Sequence, residues 1–302
     1  MAKKTVIALG FFDGIHLGHS KLLARTVTIA RELGAEPAML TFDSHPDELT
    51  AVEQIPLITS PEERADLVRE LYGIENVIAL RFDETLRRMH WTDFAEWLVR
   101  DFGAVYFIVG YDFGFGFKAE GTAKKLRNWC FMQEPKLVCD IVPAVKLDGI
   151  TVSSTYIRQL LLDGEVARAN RFLGHRHRLT DVVRFGFALG RTIGAPTINM
   201  LFPKGVIVPK CGVYATVIHI DGEAHNGVTN IGKRPTVSSS DDVTVETYIL
   251  DFDQMVYGKL VTLEFAEFIR EEMKFDSVED LQTQIKLDAE SVRQWFAAND
   301  AT

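Results

Sequence analysis

The first part of the chain, up to about residue 174, alternates between short apolar runs and longer amphipathic stretches, and this alternation constrains the fold most strongly. Runs that are short, continuously apolar and rich in branched or aromatic residues are typical of strands buried on both faces. The predicted strands cover residues 5–9, 37–42, 76–80, 104–109 and 137–142, and the predicted helices between them include residues 20–33, 61–72 and 92–102. Strands that alternate with helices predict a mostly parallel, doubly wound α/β sheet of the Rossmann-like class.

The character of the sequence changes after residue 174, where strand-like segments follow one another across Gly, Asp and Pro turns. Because 302 residues are long for one hydrophobic core, two domains are expected. We place the boundary between residues 177 and 178, which gives an α/β domain over 1–177 and a β-rich domain over 178–302. Further helices are predicted at 154–163, 166–173 and 277–296, and further strands at 182–188, 212–220, 243–250 and 259–265.

Composition argues against several classes of protein. Hydrophobic residues make up 47% and charged residues 25% of the chain, as in ordinary globular proteins. No apolar run approaches the ~20 residues that span a bilayer, and the sequence starts with a short strand rather than a signal peptide, so we expect a cytoplasmic protein without a membrane partner. A net charge of -9 argues against a nucleic-acid partner, since phosphate neutralisation needs a basic face. The three cysteines, Cys130, Cys139 and Cys211, lack C-x-x-C spacing and are interpreted as buried thiols.

A glycine-rich stretch, GFFDGIHLGHSKLL, follows the first predicted strand. Gly10 and Gly14 permit close approach of the backbone to a ligand. A helix that begins near Gly18 directs its free N–H groups into the crevice beyond the strand ends. His16 and His19 can then point to one side, where imidazoles donate to phosphate oxygens. The stretch predicts a phosphate site, although one capping histidine beside a half-exposed one fits the spacing equally well.

Hydroxyl side chains cluster in a second stretch, TVSSTYIR, at an expected helix start. Ser153, Ser154 and Thr155 are followed one turn later by Arg158. Hydroxyls, helix N–H groups and a forked guanidinium together form an anion clamp. The alternative is a serine-rich N-cap beside a solvated arginine.

The β-rich half contains GRTIGAPTINM, in which glycines again permit close approach to phosphates. Thr197 and Asn199 are two residues apart in an extended stretch, so both point to the same side. Two hard oxygen ligands that face one way suit a Mg²⁺ ion that keeps its other positions for water and phosphate. As a lone pattern this signal is weak, because glycine and proline are common in strand connections.

Three motifs in order, FFDGIHLGH, VGYDFGFG and SSTYIR, resemble the nucleotidyltransferase domain of bacterial bifunctional riboflavin kinase/FAD synthetases. In that family the H-x-G-H histidines and the S-S-T-x-x-R arginine hold the phosphates of ATP, while FMN attacks the α-phosphate and pyrophosphate leaves. The resemblance therefore implies ATP and FMN as small-molecule substrates, FAD as product, and Mg²⁺ with the triphosphate. It implies a nucleotide site made of Gly10, Phe12, Asp13, Gly14, His16, Gly18, His19, Asp112, Ser153, Ser154, Thr155 and Arg158.

The second half resembles the riboflavin kinase domain of the same family, a six-stranded β-barrel with a terminal helix. The resemblance rests on GRTIGAPTIN and continues through GVYAT, NIGKRPT, VETYILDF and FIREEMKF. It implies that Glu246 takes the proton from the 5′-hydroxyl of riboflavin, that Thr197 and Asn199 bind Mg²⁺ with ATP, and that Arg270 lies near the flavin. Without the resemblance, Glu246 is better interpreted as an exposed strand carboxylate. The remaining residues implied at the nucleotide flap are Gly186, Gly190, Arg191, Gly194 and Pro196.

The sequence also departs from the family pattern. Ser44 in TFDSHP stands where the flavin-side motif F-x-P-H-P has its first proline. Asp181 stands where the flap commonly has glycine, and there it could repel a phosphate or prevent a positive φ. Other departures are Gly186-Phe187 in place of a Gly-Asp pair, and Ala195 and Ile198 in place of phenylalanine and alanine.

The leading hypothesis is a bifunctional transferase that converts riboflavin to FMN and then FMN to FAD. An adenylyltransferase with a degenerate kinase domain is a second hypothesis, favoured by the altered flap. A flavin-binding regulator without turnover is a third, and retention of both H-x-G-H histidines argues against it. A cytidylyl or pantetheine-type transferase shares H-x-G-H but does not explain the second domain. Whether the chain forms a homo-oligomer stays open.

Overall fold

The computed structural model describes residues 4–43, 55–184, 197–233 and 243–299. The chain divides into two compact units, Met1–Ser154 and Thr155–Thr302. This division precedes the domain boundary placed at residues 177 and 178, which stays a prediction. In the described part of the chain, no helix has both the length and the apolar character needed to cross a membrane.

The first unit is built on a five-stranded parallel sheet of order β3-β2-β1-β4-β7, which confirms the predicted α/β class. Its strands are β1 (Thr5–Leu9), β2 (Glu36–Phe42), β3 (Asn76–Leu80), β4 (Ala104–Gly110), β5 (Gly114–Phe115), β6 (Gly121–Thr122), β7 (Val138–Val142), β8 (Lys146–Leu147) and β9 (Ile150–Thr151). Its helices are α1 (Leu17–Leu33), α2 (Pro61–Tyr72), α3 (Glu84–Arg88), α4 (Trp91–Phe102) and α5 (Ala123–Phe131), with short 3-10 turns at Asp13–Ile15 and Phe117–Ala119.

Both faces of this sheet are covered, because alternate residues of each strand enter different cores. Ile7 and Leu9 of β1 pack in one core with Leu98 of α4. Val6 and Ala8 pack in the other core, which also contains residues of α1 and α2. The continuously apolar strands in the sequence are therefore explained by burial on two sides.

The second unit is an antiparallel six-stranded sheet of order β10-β15-β12-β13-β14-β11. A further bridge between Arg184 and Asn199 joins the two ends of this order, which closes the sheet into the expected β-barrel. Its strands are β10 (His177–Val182), β11 (Thr197–Met200), β12 (Gly212–Ile220), β13 (Glu223–Lys233), β14 (Val243–Ile249) and β15 (Leu260–Arg270), and its helices are α6 (Ser154–Asp163), α7 (Val166–Leu173) and α8 (Val278–Asn299).

The barrel interior contains polar as well as apolar side chains. The hydroxyls of Thr216, Thr229 and Thr247 form a buried chain with 2.8 Å between successive oxygens. Helix α8 packs on the outer face, where Val292 and Phe296 meet Val213 and other strand residues. The terminal helix thus covers one side of the barrel.

Two strands differ from the sequence expectation. Strand β13 was not predicted, because EAHNGVTNIGK is polar and contains two glycines. A Cβ at Gly227 would lie 2.4 Å from Ile218, so close packing requires this glycine. Strand β10 begins at His177 rather than residue 182, and residues 185–188 of the predicted strand lie outside the described residues.

The cysteine prediction is confirmed at two positions and wrong at one. Cys130 and Cys139 are buried, and burial raises the pKa of each thiol to about 12. Cys211 is only half-buried, because it lies in the bend that leads into β12. Cys130 and Cys139 are free thiols.

Candidate active sites

The loop after β1 has a backbone that ordinary residues rarely adopt. Phe12 and Ile15 have left-handed φ angles of 58° and 42°, and the Phe12 side chain is fully buried. Gly14 has a φ of 78°, and a Cβ there would lie 3.0 Å from Ile58. Backbone strain of this kind is held in place by surrounding contacts and concentrates at functional sites.

His16 and His19 lie together at the start of α1. His16 is the N-cap residue, and its Nδ1 accepts a hydrogen bond from the His19 backbone N–H at 3.3 Å. The two rings stack at a centroid distance of 3.6 Å with 11° between their planes. Gly18 makes this stack possible, because a Cβ there would lie 2.9 Å from Cε1 of His16. The predicted placement of both imidazoles on one side is confirmed.

The surroundings of His19 favour a neutral imidazole. Burial is the main reason that its pKa lies well below 6.5, and the neighbouring His16 and Arg64 lower it further. Within the described residues, Nδ1 of His19 is enclosed and has no hydrogen-bond partner. A neutral imidazole keeps one N–H that can donate to a phosphate oxygen without first releasing a proton.

A cavity of about 390 Å³ opens at the carboxyl ends of β1 and β4. The chain proceeds from β1 to β2 and β3 on one side and places β4 and β7 on the other, so the cavity lies at the topological switch point of the sheet. Ligands of open α/β sheets bind at this position. The implied site residues on its wall are Gly10, Phe12, His16, Gly18, His19, Asp112, Ser153 and Ser154.

Asp13 links the loop after β1 to neighbouring segments of the chain. Its Oδ1 accepts hydrogen bonds from the backbone N–H groups of Ile58 at 2.8 Å and Thr59 at 3.2 Å. Ser154 Oγ donates to the backbone carbonyl of Asp13 at 3.0 Å. Asp13 therefore anchors the segment before α2, and Ser154 contacts the loop after β1.

The SSTYIR stretch is divided between the two compact units. Ser153 and Ser154 belong to the first unit and line the cavity. Thr155 is exposed on the first turn of α6, and Arg158 is half-buried one turn later. Both residues belong to the second unit.

Arg64 was missed in the sequence, where residues 61–72 are interpreted only as an amphipathic helix. Its side chain is fully buried beside the loop after β1, and Nη1 donates to the carbonyl of Phe11 at 2.9 Å. Burial lowers the pKa of Arg64 to about 10, which leaves it protonated at neutral pH. No local pattern marks this arginine, because its partners are distant in sequence.

A second cavity, of about 290 Å³, lies on the barrel unit. Glu246 of β14 lies on its wall and pairs in register with Asn199 of β11 and Asn230 of β13. Residues paired across antiparallel strands share a face, so Asn199, Glu246 and Asn230 form a polar row. Thr197 also lines the cavity and lies on the same face as Asn199.

Arg270 lies on the same cavity wall but has a protein partner of its own. Its Nε and Nη2 donate to the two carboxylate oxygens of Asp288 at 2.9 and 2.7 Å. Asp288 is only 4% exposed and also accepts from Gln284 at 2.9 Å. This bidentate pair joins β15 to α8 beside the cavity. Arg270 therefore lines the cavity and also fixes the position of the neighbouring helix.

The structure corrects the expectation for Asp181. The residue lies within β10, and its carboxylate accepts hydrogen bonds from the Leu201 backbone N–H at 2.9 Å and Arg184 at 3.1 Å. An extended strand residue needs no positive φ, and Arg184 counters its charge. Ile198, another departure, is buried in β11. The flap residues Gly186, Phe187, Gly190, Arg191, Gly194, Ala195 and Pro196, and also Ser44, lie outside the described residues.

The oxygen donors of Thr197 and Asn199 suit a hard cation such as Mg²⁺. Over residues 4–43, 55–184, 197–233 and 243–299, no group of three or more His, Cys, Asp or Glu side chains is placed to hold a metal ion. Thr197 and Asn199 would hold such a cation through neutral oxygens, together with the phosphates of a nucleotide.

Known proteins resemble the chain over almost its whole length. Residues 1–156 match the family model described as FAD synthetase, and residues 173–296 match that described as riboflavin kinase. The bifunctional riboflavin kinase/FMN adenylyltransferase of Bacillus subtilis (strain 168) is 34% identical over 298 residues, which cover 97% of this chain and 93% of that protein. The protein of the same description from Escherichia coli (strain K12) is 32% identical over 299 residues, covering 96% and 92%. A crystal structure of a macrolide-efflux protein from Streptococcus pneumoniae has a TM-score of 0.87 and 30% identity, covering 98% of this chain and 95% of that one. With its two catalytic domains in this order, the chain belongs to the bifunctional riboflavin kinase/FMN adenylyltransferase family.

Proposed function

We propose that this transferase carries out its two ATP-dependent reactions at separate sites. Riboflavin is phosphorylated to FMN on the barrel of the second unit, and FMN is adenylylated to FAD in the crevice of the first unit. The stacked pair of His16 and His19 at the switch-point cavity is the observation that carries the assignment of the adenylyl transfer.

In the adenylyl transfer, an oxygen of the FMN phosphate forms a bond to the α-phosphorus of ATP. The bond from that phosphorus to the bridging oxygen breaks, and pyrophosphate leaves with the electron pair. His16 and His19 donate N–H groups to phosphate oxygens and stabilise the charge that grows on them. Ser153 and Ser154 on the cavity wall complete the phosphate site, whereas Asp112 borders the nucleotide. The contacts of Thr155 and Arg158 with the phosphates of ATP stay predictions from the sequence.

In the kinase reaction, the Glu246 carboxylate accepts the proton of the riboflavin 5′-hydroxyl as that oxygen attacks the γ-phosphorus. The bond to the β–γ bridging oxygen breaks, and ADP leaves. Position supports this role, because Glu246 lies on the cavity wall beside the polar row that includes Asn199. A carboxylate needs only to be ionised and within hydrogen-bond reach of the hydroxyl.

Thr197 and Asn199 would hold Mg²⁺ together with ATP in the kinase site. When bound, the ion neutralises part of the charge of the triphosphate. Arg270 and the residues implied at the flap, Gly186, Gly190, Arg191, Gly194 and Pro196, would border the flavin and the nucleotide. A cytoplasmic location and the absence of membrane and nucleic-acid partners stay predictions.

The direct test supplies the purified chain with ATP, Mg²⁺ and either riboflavin or FMN, and resolves the flavins by chromatography. We expect FAD from both reactions, with FMN as an intermediate in the first. FAD from FMN alone would instead favour an adenylyltransferase with a silent kinase domain. No product from either substrate would contradict both assignments and favour a binding protein.

A further inference from the structure

A fully buried cation lies beside the crevice of the first unit. Arg64 extends from α2 and has no exposed surface. Removing a guanidinium from water is costly unless polar groups surround it. The contacts of Arg64 therefore indicate which parts of the backbone it holds in place.

Nη1 of Arg64 contacts three oxygens from two neighbouring strand ends. The carbonyls of Phe11 and Phe42 each lie 2.9 Å away, and Thr41 Oγ1 lies 2.7 Å away. The Thr41 hydroxyl in turn donates to the Phe11 carbonyl at 2.7 Å. The guanidinium carbon also lies 4.5 Å from the centroid of the Phe11 ring, in a cation–π contact.

These contacts fix the backbone where it leaves the sheet. Phe11 follows β1 and directly precedes the strained turn that leads to His16 and His19. Phe42 ends β2, the neighbouring parallel strand. Both phenylalanines line the cavity, so one side chain ties together two parts of its wall.

We propose that Arg64 is a positioning residue for adenylyl transfer, which fixes the ends of β1 and β2 so that the two reactants keep their relative alignment. The proposal rests on the assignment of this reaction to the crevice of the first unit. A small misplacement of aligned reactants slows the chemical step strongly. Replacing Arg64 removes none of the side chains proposed to contact the ATP phosphates, so binding of ATP should change less than turnover.

The test compares Arg64→Met with Arg64→Lys in the full chain, by steady-state kinetics of FAD formation from FMN. Arg64→Met should lower kcat by about 10- to 100-fold, with the KM for ATP changed by less than about threefold. Arg64→Lys keeps a cation with three N–H donors and should have a kcat about threefold or more above that of Arg64→Met. FMN formation from riboflavin should be unchanged in both variants, because it takes place in the second unit.

The matched control is Arg69→Met on the same helix. Arg69 is exposed and pairs with Asp66 at 2.9 Å on the surface, so its loss should leave kcat within about twofold. A kcat for Arg64→Met within twofold of wild type would overturn the proposal. So would equal losses in Arg64→Met and Arg64→Lys, or a raised KM with unchanged kcat.

A second variant keeps the test decisive if Arg64→Met unfolds the first unit. Thr41→Val removes the hydroxyl that joins Arg64 to the Phe11 carbonyl but keeps the buried cation. It should lower kcat for FAD formation by about 3- to 10-fold, whereas an unchanged kcat would overturn the proposal. A wild-type chain that forms no FAD from FMN would contradict the site assignment itself, before any variant is compared.

Discussion

At the scale of single residues, the two stacked histidines of the first site differ in their contacts and in their proposed roles. His16 caps α1 through Nδ1, so part of its hydrogen-bonding capacity serves the helix. His19 makes no such cap, and burial, His16 and Arg64 together keep its pKa well below 6.5. We therefore assign His19 the larger share of the stabilisation of transition-state charge.

His19→Ala should reduce FAD formation from FMN by about 100-fold or more, because a preorganised donor to the phosphate oxygens is lost. FMN formation from riboflavin should be unchanged. Since His19 is neutral well above its lowered pKa, the ratio of wild-type to variant rates should stay constant from about pH 6.5 to 8. Rates of FAD formation measured across this range provide the check.

His90→Asn is a suitable control for that variant, because His90 is exposed and asparagine preserves an acceptor at the N-cap of α4. Loss of both activities in His19→Ala would indicate misfolding rather than a lost donor. An unchanged rate of FAD formation would remove His19 from its assigned role.

Glu246→Gln should have the opposite effect. The amide cannot accept the hydroxyl proton as a base, so FMN formation should fall by about 100-fold or more while FAD formation from FMN persists. Glu223→Gln, at the exposed first residue of β13, is the control and should leave both rates unchanged. Initial rates with riboflavin and with FMN measure both reactions, and undiminished FMN formation would contradict the role of Glu246.

At the scale of elements, strand β10 contains a buried histidine that is outside both proposed sites. His177 is 1% exposed and packs with Phe265 at a ring-centroid distance of 5.8 Å. In the described part of the chain, neither ring nitrogen has a hydrogen-bond partner. Burial, together with the nearby His175, lowers the pKa of His177 to about 3.

This histidine should make the barrel sensitive to acid. In the unfolded chain it binds a proton near pH 6.5, whereas in the fold it stays neutral down to about pH 3. Stability is therefore fully present above pH 6.5 and falls as the pH decreases, by at most about 1.4 kcal/mol per pH unit. His177→Leu should reduce this slope.

The slope can be measured by urea titrations between pH 7 and 5. Brief proteolysis at each urea concentration cleaves the unfolded chain, so the amount of intact barrel peptide reports the folded fraction of the second unit. His225→Gln, at a half-buried surface position, is the comparison variant and should keep the wild-type slope. Equal slopes for the wild type and His177→Leu would show that the unpartnered imidazole does not control acid stability.

The elements also show which parts of the fold are encoded locally. Continuous apolar runs predicted β1 to β4 and β7 because burial on both faces selects apolar residues at every position. Strand β13 gave no such signal, since its glycines and asparagines are selected by contact with β12 and β14. Long-range pairing therefore decides elements whose own composition is polar.

The same distinction applies to the sites. The sequence predicted the histidine pair, because both residues lie at the start of α1, where local spacing sets their geometry. It missed Arg64, whose Nη1 has its partners 22 to 53 residues away in the chain. It also misjudged Asp181, whose partner Leu201 lies 20 residues further on. Contacts of this length follow from the fold and not from the motif.

At the scale of the whole molecule, each compact unit contains a cavity with its own chemistry. The first has imidazoles and helix N–H groups for phosphate, and the second has a carboxylate beside neutral oxygen ligands. If the sites work separately, each variant should lose one reaction only. FMN released by one chain should then serve as substrate for another.

The most direct test mixes the two variants His19→Ala and Glu246→Gln with riboflavin, ATP and Mg²⁺, and measures FAD over time. Alone, His19→Ala should stop at FMN, and Glu246→Gln should leave riboflavin unchanged. Together they should form FAD, because one supplies FMN and the other adenylylates it. If the mixture makes no FAD although Glu246→Gln still converts added FMN, the account of two independent sites is contradicted.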